Sequence, residues 1–125
     1  MKAAMANKVL EMKPSKIGKG EAGAMTVLTL KESLTYENCE ELEATFNECI
    51  NQYKTKIILD CKGMSFIDSE GLELLVQVYE ELRKRGGILK IVTLNTVCHE
   101  IFVATRLINV FHVYKDIHEA IRSAS

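Results

Sequence analysis

Proline occurs once in the chain, at Pro14, and no Gly/Ser-rich or low-complexity stretch accompanies it. A flexible linker between domains is thereby excluded. The 125 residues are the size of one ordinary domain. No apolar run reaches the roughly 18 residues that a membrane-crossing helix needs. Met1 to Gly20 holds five lysines and one glutamate with no apolar block behind them, which is not a secretory signal. Neither sign of charge dominates. A formal net charge of -1 gives no global basic field for nucleic acid or an anionic membrane surface. Cys39, Cys49, Cys61 and Cys98 include no CxxC pair and no zinc-ligand spacing, and His99, His112 and His118 have no metal spacing either. Reduced, mostly buried thiols in a cytoplasmic protein are expected, with no metal and no cofactor. No phosphate-cradling GxxxxGK[ST] or GxGxxG run and no GxSxG elbow is present, so nucleotide binding and nucleophilic catalysis have no motif to stand on.

What remains is a chain with 47% hydrophobic and 26% charged residues, the balance of a globular domain able to bury a core. Lys8 to Met12 reads as an edge strand of the basic N-terminal segment (residues 1–24). Gly18, Gly20 and Gly23 read as a hairpin turn or a loose loop. Met25 to Leu30 is β-branched and reads as a strand. Thr35 to Tyr53 reads as a helix, with Thr35 as N-cap and Cys39, Leu42, Phe46, Cys49 and Tyr53 on one stripe. Glu37, Glu40, Glu41 and Glu43 suit the positive end of its dipole.

Lys56 to Cys61 is an unbroken apolar run, so both faces of that strand must be covered, as in a parallel sheet. Ser69 to Arg85 reads as a second helix with Leu72, Leu75, Val76, Tyr79 and Leu82 inward. Gly86-Gly87 supplies its left-handed cap. Ile88 to Leu94 reads as a strand. Asn95 or Thr96 can cap a short helix carrying Val97, Ile101 and Ile108. Phe102 and Val103 fall off its inward stripe, either exposed as a small apolar patch or in contact with the last strand. Val110 to Tyr114 is a last strand, and Ile117 to Ala124 a last helix with Ile117, Ala120 and Ile121 inward. The order β-β-α-β-α-β-α-β-α predicts an α/β fold: a mixed, mostly parallel sheet of roughly four to five strands with about four helices.

The informative stretch is Met64 to Leu75, MSFIDSEGLELL, where a central strand ends and a helix begins. That edge of an open α/β sheet is where ligands and partners tend to bind. Asp68 or Ser69 is placed to cap the helix. Gly71 is unfavourable just inside a helix by about 1 kcal/mol. It lets another backbone or a partner approach closely. A phosphate on Ser69 would meet free N–H groups and the positive end of the dipole, so the fold would tolerate it. It would add about -1.5 to -2 units of charge to a partly apolar surface. Asp68 has no second acid or histidine near it in sequence to make a catalytic pair. Ser69 has no base and orienting acid either.

FIDSEGLELL after an apolar strand resembles the Asp-Ser-x-Gly-Leu signature of the STAS domain family. The GGILKIV strand and the ATRLINVFHVYKDIHEAI tail are similar to that family too, and the likeness runs from about Met25 to the end, giving a STAS-like domain over residues 25–125. Many small members are anti-sigma factor antagonists. The resemblance therefore implies binding to an anti-sigma factor that is also a serine kinase, reversal by a serine phosphatase, and control of sigma-factor-dependent transcription. It implies Ser69 as the phosphorylation site and Ile67, Asp68, Ser69, Glu70, Gly71 and Leu72 as the contact surface.

Two residues depart from the pattern. Glu70 stands where a small residue is common, and it either weakens kinase recognition or matches a basic partner. Arg106 stands where a glycine is common, which suggests a left-handed backbone there. The same fold could also serve as an adaptor subunit of a transport or signalling assembly without phosphorylation. An enzyme at the same strand ends lacks its constellation of residues.

Overall fold

A computed structural model describes residues 17–123. The edge strand read at Lys8 to Met12 lies outside them. The first strand described is β1, Ile17–Ala22, followed by β2, Met25–Leu30. Gly18 and Gly20, read as turn or loop, are interior to β1. Only Gly23, with φ 61°, serves the turn. β1 pairs antiparallel with β2, Ile17 opposite Leu30 and Ala22 opposite Met25. The chain continues through α1 (Cys39–Asn51), β3 (Lys56–Asp60), α2 (Ser69–Lys84), β4 (Ile88–Val92), α3 (Thr96–Ala104), a 3-10 turn (Leu107–Asn109), β5 (His112–Tyr114) and α4 (Ile117–Arg122). The sheet order is β1-β2-β3-β4-β5, and every pair after the first is parallel.

The apolar run of β3 is buried on both faces, as parallel pairing demands. On one face Leu28, Leu30, Ile57, Leu59, Leu89 and Ile91 meet Leu42, Phe46, Leu75, Leu82 and Phe102 from α1, α2 and α3. On the other face Val27, Ile58 and Val92 meet Ala120 of α4, with Ile117 packed against them. The Lys90 side chain, 3% exposed, also points to α4. Its Nζ donates to the carbonyls of Ala120 (2.7 Å) and Ser123 (3.4 Å) and lies 5.3 Å above the Tyr114 ring. An ammonium at the C-terminal end of a helix answers carbonyls that have no partner within it.

Several sequence expectations shift. α1 starts at Cys39, because the Thr35 carbonyl closes a turn onto the N–H groups of Asn38 and Cys39, and the Thr35 hydroxyl accepts from Glu37. Tyr53 is 92% exposed and left-handed (φ 61°) beyond the helix end, while Ile50 takes the buried place. In α2, Leu72, Val76 and Tyr79 are half-buried. Leu75 and Leu82 are fully buried as expected, and Leu74 and Val78 join them because α1 lies alongside and brings Phe46 and Ile50 to them.

The α2 end agrees with expectation: Gly86 is left-handed (φ 74°) and the Gly87 N–H donates to the Leu82 carbonyl at 2.8 Å. Ile108 is not on α3, which stops at Ala104; Arg106 turns the chain with φ 65°. Phe102 is buried, its ring 5.6 Å from that of Phe111, whereas Val103 is exposed. Ile121 is exposed, since six residues of α4 give only Ile117 and Ala120 a seat on the sheet.

Candidate functional site

Two stretches that leave the C-terminal ends of β2 and β3 run side by side. Leu34 pairs with Ile67 in a single parallel bridge. The Leu34 N–H donates to the Phe66 carbonyl, and the Asp68 N–H donates to the Leu34 carbonyl, both at 3.1 Å. Ser33 Oγ accepts from the Phe66 N–H (3.0 Å) and shares a 2.8 Å hydrogen bond with Ser65 Oγ. Asn38 ties the outer stretch together, accepting from the Thr35 N–H at 2.8 Å and donating to the Ser33 carbonyl at 2.5 Å. From the other side Asn95, the N-cap of α3, accepts from the Cys98 N–H at 2.7 Å and donates to the carbonyls of Met64 and Ser65 at 3.3 Å. The loop before α2 is thus fixed from both flanks.

Between the two capping candidates, Asp68 does the capping. One carboxylate oxygen, Oδ1, accepts from the Gly71 N–H at 2.9 Å, and the other, Oδ2, accepts from the Tyr36 N–H at 2.9 Å. Hydrogen bonds to a carboxylate favour its charged form. The Gly71 N–H, with that of Tyr36 adding to it against a smaller effect of burial, holds the Asp68 carboxyl below its ordinary value. Ser69 is then the first helical residue, exposed, and its hydroxyl takes part in no hydrogen bond among the described residues.

Gly71 is buried, and a Cβ there would stand 2.7 Å from the Leu34 carbonyl oxygen and 2.8 Å from Ile67 Cγ1. The close approach that glycine permits is therefore made by the chain itself. Ile67 is buried and Leu72 half-buried, so among the residues expected to form a contact surface Asp68, Ser69, Glu70 and the edge of Leu72 reach the outside.

Tyr36 (67% exposed) and Phe66 (48% exposed) went unmarked in the sequence, yet they stand on the two stretches that Asp68 joins. Only the pairing of Leu34 with Ile67, a contact distant in sequence, brings them together. Glu43, Glu70 and Glu73 line a shallow hollow with Cys39 between α1 and α2. Burial first, then the charges of Asp68, Glu70 and Glu43, push the Cys39 thiol up. Burial also raises the thiols of Cys49, Cys61 and Cys98. All four cysteines are free and held away from the nucleophilic thiolate form. No group of three or more His, Cys, Asp or Glu side chains suited to a metal ion occurs among the described residues. His99 is exposed on α3.

The sequence model of the STAS domain matches residues 16–120, nearly the whole chain and all five strands. The chain belongs to the STAS domain family. A relative from Bordetella bronchiseptica, named anti-sigma factor antagonist BtrV, is 26% identical over 89 residues, 71% of this chain and 77% of that protein. A human protein named anion exchange transporter is 44% identical over 58 residues, 46% of this chain; the aligned part is 8% of the transporter's length. Among solved structures, one described as an anti-sigma factor antagonist from Thermotoga maritima superposes with a TM-score of 0.80 at 24% identity, over 84% of this chain and 91% of that one. The last likeness is one of fold: a five-stranded mixed sheet with four helices.

Proposed function

We propose that this STAS domain is an anti-sigma factor antagonist whose docking is switched by phosphorylation of Ser69. The observation that carries the reading is the division of labour at the start of α2. Asp68 holds the cap, so the Ser69 hydroxyl is exposed and free for a kinase. A phosphate on a first-turn residue lies near the positive end of a helix and leaves the core untouched. At a docked interface a charge without a partner costs several kcal/mol, which lowers affinity by about a thousandfold. The partner is an anti-sigma factor with serine kinase activity, and a serine phosphatase restores the docking form; control of sigma-factor-dependent transcription follows. The contact surface is Asp68, Ser69, Glu70 and Leu72, over the buried supports Ile67 and Gly71. Tyr36 and Phe66 add aromatic area on either side, the side-chain type that anchors interfaces.

Incubation with the cognate kinase and ATP, followed by mass spectrometry, is expected to find phosphate on Ser69. Ser69→Asp should lose partner binding by about a thousandfold, and Ser69→Ala should bind constitutively. Equal binding by the two variants would refute the switch.

The 44% identity to part of an anion exchange transporter favours a second reading, an adaptor of a transport assembly that works without phosphorylation. In that case Ser69 stays bare in the kinase reaction and both variants bind the membrane partner alike.

A further inference from the structure

The sheet carries a second concave surface, on the face opposite the three long helices. α4 covers only the middle of that face, against Val27, Ile58 and Val92. Toward β1 no other described element covers the sheet, and a trough of about 670 Å³ opens there, floored by Gly18, Gly20, Val27 and Thr29 and walled by Ile117. The register puts Gly18 opposite Thr29 and Gly20 opposite Val27, so both glycines stand on this face. Glycine weakens a strand interior, having no side chain to pack and more backbone freedom to lose.

Nothing among the described residues requires it at residue 20: a Cβ there meets none of their atoms within 4 Å, and φ is not positive. At Gly18 a Cβ would make ordinary contacts with the Thr29 Cβ at 3.4 Å, the end of the Lys31 side chain at 3.6 Å and the Thr29 carbonyl oxygen at 3.9 Å. The missing side chains leave the floor flat, open at Gly20 and with the end of Lys31 reaching over it at Gly18.

Lys19 and Glu21 alternate with the two glycines and turn their side chains to the opposite face, where Lys19 pairs with Glu48 at 2.8 Å and Glu21 with Lys54 at 3.4 Å. Lys31 and Lys62 line the trough with no ion pair among the described residues. Asp60, the partner of Thr29 on β3, is buried, with Oδ1 accepting from the Lys62 N–H at 3.1 Å. A flat apolar floor with two unpaired ammonium groups at one rim matches one chemistry, a small organic anion with a flat apolar body. The volume falls in the range of small-molecule sites, about 300–1,000 Å³. We propose that this trough is a binding site for such an anion, separate from the Ser69 surface and kept open by Gly18 and Gly20.

The test uses the whole chain and two probes, 8-anilino-1-naphthalenesulfonate and its uncharged analogue N-phenyl-1-naphthylamine. Amide NMR titration with the sulfonate should move Gly18, Gly20, Val27, Thr29 and Lys31 and leave Tyr36 and Ser69 in place. Gly20→Val fills the floor with a residue that strands favour. It should weaken sulfonate binding by about tenfold or more while the melting temperature stays level or rises. Lys31→Gln with Lys62→Gln should bring sulfonate affinity down to that of the uncharged analogue. Shifts spread over both faces, unchanged binding by Gly20→Val, or equal affinity of the wild type for the two probes would each overturn the proposal. None of these outcomes bears on the Ser69 switch.

Discussion

The two faces of the sheet are closed by different means. On one, α1, α2 and α3 press large side chains such as Phe46, Phe102, Leu75 and Leu82 onto alternate strand residues. On the other, a six-residue helix seats Ile117 and Ala120, and a buried lysine holds its last carbonyls. A helix of that length has no stability of its own in water. The first face is therefore held by volume and apolar area, and the second by one polar latch and a small cluster. This asymmetry bears on function, because the candidate docking loop rises from the well-packed side while the sparsely covered side leaves strand surface open.

The sharpest way to break the comparison is to remove volume from the packed face. Phe102→Ala leaves a cavity between Phe111 and the sheet and should cost about 3–5 kcal/mol, read as a drop in the urea midpoint. Lys90→Met acts on the other face. It removes the ammonium from the carbonyls of Ala120 and Ser123 and should cost about 1–3 kcal/mol. Amide hydrogen exchange should speed up in α4 and stay slow in α1 and α2. Equal loosening of all helices would mean that the two faces are not held independently.

The smallest effect belongs to Asp68 and appears as a pH dependence. Its folded-state pKa lies below the ordinary value, so its contribution is complete above the unfolded carboxyl's pKa and is lost as pH falls through the folded one. Asp68→Asn should lower stability at neutral pH and flatten the loss on acidification below about pH 4. A variant with the same acid slope as the parent would show that the cap contributes nothing there.

The fold was legible because its strongest signals are local. Ile57-Ile58-Leu59 could only be a strand covered on both sides, and Gly86-Gly87 could only end a helix. Errors arose where a neighbour decides. Leu74 and Val78 are buried by α1, which no periodicity within α2 can reveal. Tyr53 fits the helical stripe by spacing, yet the helix has ended before it. Phe102 was open to two readings, an exposed patch or a contact with the last strand, and its burial against Phe111 bears out the second. At the site, the Asp68-Ser69 junction and its helix were readable. The choice of capping residue was not, since Asp68 is selected by a second duty, the bond to Tyr36 from a stretch 32 residues earlier. Tyr36 and Phe66 were missed for the same reason.

Because one carboxylate clasps segments that far apart, the shape around the serine exists only in the assembled domain. A short synthetic peptide copied from residues 64–75 contains the Ser69 hydroxyl but neither Tyr36 nor Leu34. If the proposed kinase reads this conformation, it would ignore the peptide and modify the intact domain, and heat or acid that unzips the two stretches would erase the site along with the fold.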